Sequence, residues 1–78
     1  MIYNSRKYPT SLFIQKSNDI FHKGYLIIYK KNNAIYVAKI AGYMLNGSLL
    51  INTNWEFAET IELISTNQIT HISKNSIE

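Results

Sequence analysis

Two histidines, His22 and His71, and one close carboxylate pair, Glu59 and Glu62, are the residues in this chain that could hold a metal or move a proton. A transition-metal site needs three or four convergent ligands at fixed spacing, and the histidines are isolated from each other along the chain. No metal site is therefore expected. The chain also lacks cysteine, a phosphate-cradling Gly-rich loop and any Ser-His-Asp pattern. With no catalytic residues and no cofactor expected, the chemistry left to this sequence is recognition.

Basic and aromatic residues interleave between Tyr25 and Tyr36, with Tyr29, Lys30, Lys31 and Tyr36 around one expected hairpin and Lys39 just beyond it. Such a surface can stack single-stranded bases on its rings while lysines neutralise phosphates. Tyrosines on strands are also ordinary sheet surface, and both readings stand. Trp55 and Phe57 add two large rings in a connecting segment. They either plug one end of the core or form an aromatic hot spot for a partner.

The charges are unevenly spread. Residues 1–39 carry seven Lys/Arg against Asp19, and residues 40–78 carry Lys74 against four Glu, so the halves stand at +6 and −3 and sum to the chain's +3. Either the N-terminal half meets an anionic partner, or opposite charges face each other across neighbouring strands or in a dimer.

These residues need elements to position them, and the clearest run from Gly24 to Asn52. Three apolar, β-branched and aromatic runs are separated by the polar breaks Asn32-Asn33 and Asn46-Gly47, the composition of consecutive antiparallel strands. Asn46-Gly47 is the stronger turn signal, because a two-residue hairpin needs positive φ at both central positions. Leu26 and Ile28 alternate with Tyr25, Ile27 and Tyr29, and Ile35 and Val37 with Tyr36, Ala38 and Ile40. Strands apolar on both faces suit a small barrel or sandwich. Ala41-Gly42 interrupts the second of these runs and marks a bulge or the bend at a barrel corner.

Upstream, Pro9 ends an N-terminal arm (1–9), and Thr10 to Gln15 predicts a first strand. Downstream, Ala58 to Ile64 fits both strand and helix spacing, with Thr60 and the flanking pattern favouring strand. Ile69 to Ser73 closes the pattern before a polar tail, 74–78. The fold class expected is all-β: a single-domain antiparallel barrel or strongly bent sheet of about five strands. A chain of this length buries only roughly 60% of its unfolded surface, and 46% hydrophobic residues are much to hide alone. Self-association through edge strands, Leu12 to Gln15 or Ile69 to Ser73, is therefore expected.

Gly24-Tyr25-Leu26-Ile27-Ile28, Tyr36-Val37-Ala38-Lys39-Ile40, Leu49-Leu50-Ile51 and Asn54-Trp55-Glu56-Phe57 together resemble the β-rich catalytic domain of LexA-like self-cleaving repressors and their signal-peptidase relatives. The resemblance covers residues 24–64. It implies a β fold whose chemistry would need a Ser nucleophile and a buried, neutral Lys as general base. Ala38 stands where the family has that Lys, and Lys39 where it has the following Arg. One residue along a strand reverses the face. The family's Ser precedes a Met-x-Pro run, whereas Ser17 is followed by Asn18-Asp19-Ile20. A shortened, catalytically dead relative fits these departures; a working protease does not.

No apolar run approaches the roughly 20 residues that span a bilayer, and no apolar signal core follows Met1 to Lys7, so a cytoplasmic protein without membrane contact is expected. Heavy use of Ile, Asn and Lys suggests an AT-rich coding sequence, as in low-GC bacteria and their phages. The function expected is a non-catalytic binding module, a small phage-type regulator or inhibitor acting by protein–protein contact. The alternative is a small nucleic-acid-binding barrel of the SH3 or Sm-like kind.

Overall fold

The computed structural model describes residues 10–16, 21–54 and 58–76. Six strands form one antiparallel sheet: β1 (Phe13–Gln15), β2 (Tyr25–Lys31), β3 (Ala34–Tyr43), β4 (Leu49–Asn52), β5 (Ile61–Ile64) and β6 (Ile69–Ser76). Their order across the sheet is β1-β6-β2-β3-β4-β5. The fold is all-β, and among the described residues the remaining elements are two 3-10 turns, Thr10–Leu12 and Thr66–Gln68. The expected first strand is thus shorter than Thr10 to Gln15, because its first three residues wind into a turn.

Of the two expected two-residue turns, the weaker signal, Asn32-Asn33, forms one and the stronger, Asn46-Gly47, does not. Between β2 and β3, Asn32 and Asn33 both take left-handed φ, 52° and 63°, in a two-residue loop flanked by the Lys31/Ala34 pair. Asn bears this conformation better than other side chains, so Asn-Asn satisfies the demand expected of Asn46-Gly47. At the β3–β4 connection only Gly47 has positive φ, at 92°. The Met44 amide donates to the Ser48 carbonyl at 2.8 Å and the Gly47 amide to the Met44 carbonyl at 3.0 Å, which makes a three-residue loop with one left-handed glycine. Gly24, with φ 93°, lets its own amide reach the Ile40 carbonyl at 2.9 Å as β2 begins.

Both faces of the central strands are buried, as the alternation predicts. On one face Ile27, Ala38, Ile40, Leu49, Ile51, Ile64, Ile69 and Ile72 pack with Tyr29 in the larger cluster. On the other, Leu26 and Val37 pack under Phe13, with Leu12 and Ile28 beside them. The expected bulge is present: Ile40 faces Ile51 and Gly42 faces Leu50, so Ala41 is the extra residue.

Bulges in β6 are patched by its own hydroxyls. Between the Tyr25/Ser76 and Ile27/Ile72 pairs the register slips, and the buried Leu26 amide donates to Ser73 Oγ at 2.8 Å. Between Ile28/His71 and Tyr29/Ile69 it slips again, and Thr70 Oγ1 donates to the Ile28 carbonyl at 3.3 Å. Bulged strands bend and twist more strongly. The bend has a visible result. β5 and β6 stand four strand spacings apart in the sheet, roughly 19 Å if it were flat. Yet Ile64 and Ile69 are joined by four residues, three of them in a 3-10 turn that rises only about 2 Å per residue. The sheet must curl to bring its ends together, and the extents of 31 × 28 × 27 Å agree. Among the described residues no ladder joins β5 to β6 or β1, so the sheet stays open.

Two expectations are corrected. Ile69 to Ser73 is not an edge: β6 pairs with β1 on one side and β2 on the other, and it runs on to Ser76 into the expected tail. The edges are β1 and β5. In β5 the strand reading of Ala58 to Ile64 holds for Ile61–Ile64, but Ile61 and Leu63 are exposed while Ile64 enters the core. Glu62, two residues from Ile64 on the strand, shares its inner face, and its carboxylate is met there by Lys31.

Candidate binding surface

Among the described residues, those that the sequence suggests for binding do not converge on one patch. Tyr29 is only 2% exposed and stacks on Tyr36, ring centroids 5.5 Å apart and planes 28° from parallel. Burial and the neighbouring Glu62 charge push its hydroxyl well above the usual tyrosine range. Tyr29 is therefore a core ring with no face to offer a base, and Tyr36 is half-buried against it. Lys31 pairs with Glu62 across the curl, and the hydrogen bond to that carboxylate, then its charge, raises the Lys31 ammonium above its ordinary value.

Lys30 and Lys39 lie on the opposite face, where Lys30 faces Ile35 and Lys39 faces Leu26 and Asn52. Leu26 and Lys30 are four residues apart, about 13 Å along a strand, so the two ammonium groups mark opposite ends of the face. Among the described residues neither forms an ion pair. Trp55 and Phe57 lie outside the described residues.

The chemistry-bearing residues are dispersed too. His22 packs its ring against Tyr25, centroids 5.1 Å apart, at the start of β2. His71 sits in mid-β6 with Nδ1 2.9 Å from Thr70 Oγ1. Among the described residues no group of His, Asp and Glu is placed to hold a metal ion. Ala38 is fully buried while Lys39 projects from the other face, the reversal expected of neighbours on a strand. No helix among the described residues is long and apolar enough to cross a membrane.

What sequence reasoning missed is an apolar surface at the β3–β4–β5 end of the sheet. Leu50 faces Leu63 across β4 and β5, and Leu50 faces Gly42 across β3 and β4. A Cβ built on Gly42 would meet nothing within 4 Å, so this row opens onto a bare shelf. Leu63 is 54% exposed and Ile61 46%. At the adjoining hairpin tip Tyr43 and Met44 are exposed and Leu45 is fully so. Tyr43 pairs with Leu49, so its ring lies on the opposite face from Leu50 and Leu63, and the tip and the row of Leu50 and Leu63 are two neighbouring apolar groups. Clustered exposed apolar residues, unlike single scattered ones, mark an interaction site. A signal was present: Tyr43-Met44-Leu45 continues the apolar run into the turn itself, where polar residues belong.

Asn52 Oδ1 accepts from the Asn54 and Thr60 amides, both at 3.2 Å, and so ties the end of β4 to the approach to β5. The shelf is thus held by ladder and side-chain bonds. Compared with known proteins, the chain matches no family model, no curated protein and no solved structure.

Proposed function

We propose that this chain is a non-catalytic binding module that grips a protein partner, in the manner of small regulators or inhibitors from phages and mobile elements, and acts in the cytoplasm. The observation that carries it is the exposed apolar hairpin tip of Tyr43, Met44 and Leu45 at the end of β3. A stable protein contact needs a desolvated apolar centre, and hairpin-tip side chains can enter a pocket with little backbone cost. The dead-relative reading of the LexA-like resemblance agrees, since Ala38 puts a methyl where a general base would stand.

The finer architecture proposed is an open form of the small barrel. Its support is the curl that brings β5 and β6 together through one 3-10 turn. That architecture also keeps a second reading, a nucleic-acid-binding barrel of the SH3 or Sm-like kind, for which the exposed Lys30 is the favouring observation. The absence of a surface ring at Tyr29 weighs against it.

Capture from a low-GC bacterial lysate, with and without nuclease, separates the two. A partner retained after nuclease by the wild type and lost by Leu45→Ser supports the protein reading. Capture that disappears with nuclease and survives Leu45→Ser overturns it.

A further inference from the structure

β5 ends the sheet, and its hydrogen-bonding parity can be assigned. The Thr53 amide donates to the Thr60 carbonyl at 2.9 Å, in register with the β4–β5 ladder. Hydrogen-bonded and non-bonded pairs alternate in an antiparallel ladder. Ile51/Glu62 and Leu49/Ile64 are therefore bonded pairs, and Asn52/Ile61 and Leu50/Leu63 are not. Ile61 and Leu63 consequently aim their N–H and C=O groups away from β4, toward the open edge. The edge closes just beyond, where the Ser65 amide donates to Gln68 Oε1 at 3.0 Å and its carbonyl accepts the Gln68 amide at 3.1 Å.

We infer that this edge pairs with the same edge of a second copy of the chain, antiparallel, about a two-fold axis through Glu62. In that register Ile61 of each copy exchanges both backbone hydrogen bonds with Leu63 of the other, and the four outward-facing groups of each chain are satisfied. Natural edges are guarded by lysine, proline, bulges or an inward-pointing charge, and of these Ile61–Ile64 carries only the last, in Glu62. The residue brought opposite its own symmetry mate is Glu62, and like charges directly opposed are normally unfavourable. Here each carboxylate is already compensated by its own Lys31. On the other face Leu50, Leu63 and Ile61 of the second copy become neighbours in one row, covering the most exposed apolar part of the strand. β1, the other edge, has only three residues and ends at Lys16.

Two short strands bury less than the roughly 1,200 Å² of a standard interface, so the dimer is weak and concentration-dependent. The dimer covers Leu63 on β5, whereas the grip on the proposed protein partner is tested at Leu45 on the hairpin tip, so the failure of one leaves the other standing.

Sedimentation velocity of the full chain from low micromolar to millimolar concentration should show a monomer–dimer equilibrium. Amide exchange at Ile61 and Leu63 should slow as concentration rises, with Glu62 and Ile64 unchanged. Leu63→Pro removes one outward donor and no β4 bond, and should remain monomeric throughout with an unaltered far-UV spectrum. Should that variant misfold, Leu63→Lys replaces it, and the same monomeric result is expected. A wild type that stays monomeric at millimolar concentration overturns the inference. So does a dimer that survives both substitutions or leaves the Ile61 and Leu63 amides unprotected.

Discussion

Lys31 at the end of β2 holds the carboxylate of Glu62 on β5, although β3 and β4 lie between their strands in the sheet. Tyr29, two residues before Lys31 on the same face, lies in the field of that carboxylate. The contact fastens the curl. Gln68, in the turn that follows β5, adds a bond from Nε2 to the Lys30 carbonyl at 3.2 Å. Part of the opposite charge in the two halves of the sequence is therefore spent inside the fold, which limits how far the basic half can be read as a binding face.

The same contact predicts an alkaline limit on stability. Tyr29 is raised by burial and then by Glu62, and Lys31 by its hydrogen bond to Glu62 and then by that charge. A group whose pKa is higher folded than unfolded stabilises fully below its unfolded value, about 10 for both types, and loses that contribution as pH climbs through the folded value. Urea unfolding should give constant stability from neutral pH to about 9.5 and a decline above about 10. Tyr29→Phe should flatten part of that decline, and tyrosinate absorbance should show Tyr29 ionising only as the chain unfolds. An unchanged decline in Tyr29→Phe would refute the assignment.

The alternation of Leu26/Ile28 against Ile27/Tyr29 was legible because period-two burial is a property of the strand itself. So was the Ala41 bulge, because Gly42 advertises it. The loop at Asn46-Gly47 was not, since Asn-Gly satisfies both two-residue and three-residue loops, and the choice is made by the register of Tyr43 with Leu49. Nor was the inward face of Glu62. A charged residue between Ile61 and Leu63 argues from pattern for the solvent side, and only the curl that delivers Lys31 and Tyr29 reverses it. Tyr29 was misplaced for the same reason: a sequence does not say which of two apolar faces lies on the inside of a bend.

Gly42 and Gly47 should respond with opposite signs to the same change. Space is open around both, but only Gly47 has a left-handed φ. Gly42→Ala should stabilise by about 0.5–1 kcal/mol by restricting the unfolded chain, and Gly47→Ala should cost about 1 kcal/mol or more. Thermal unfolding of the two variants decides it; equal signs would contradict the turn assignment.

Ser73 is the third test. Its hydroxyl takes the Leu26 amide that the β2–β6 bulge leaves without a backbone acceptor, at a fully buried residue. Ser73→Ala strands that amide and should destabilise by about 1–3 kcal/mol, while Ser73→Thr, which keeps the oxygen, should lose less. Similar losses in both variants would assign the effect to packing instead.

The lysines separate the functional readings. Lys30 and Lys39 project from one face about 13 Å apart along the strand. If a phosphate backbone lay across that face, each Lys→Ala would weaken binding regardless of base sequence and lower the salt slope by roughly one. The proposed protein contact lies instead on Tyr43, Met44 and Leu45, so Lys30→Ala and Lys39→Ala should change chiefly the association rate, an effect screened beyond about 8 Å at physiological salt. Leu45→Ser should cost at least tenfold in affinity, about 1.4 kcal/mol or more, through faster dissociation. Lys31→Ala belongs to neither class, because its ammonium is held by Glu62. It should lower stability and leave affinity unchanged once the folded fraction is corrected for. Surface-plasmon titration of the captured partner at two salt concentrations reads all four variants together. A salt slope that falls by about one for each of Lys30→Ala and Lys39→Ala, with Leu45→Ser binding like wild type, would move the function to nucleic acid.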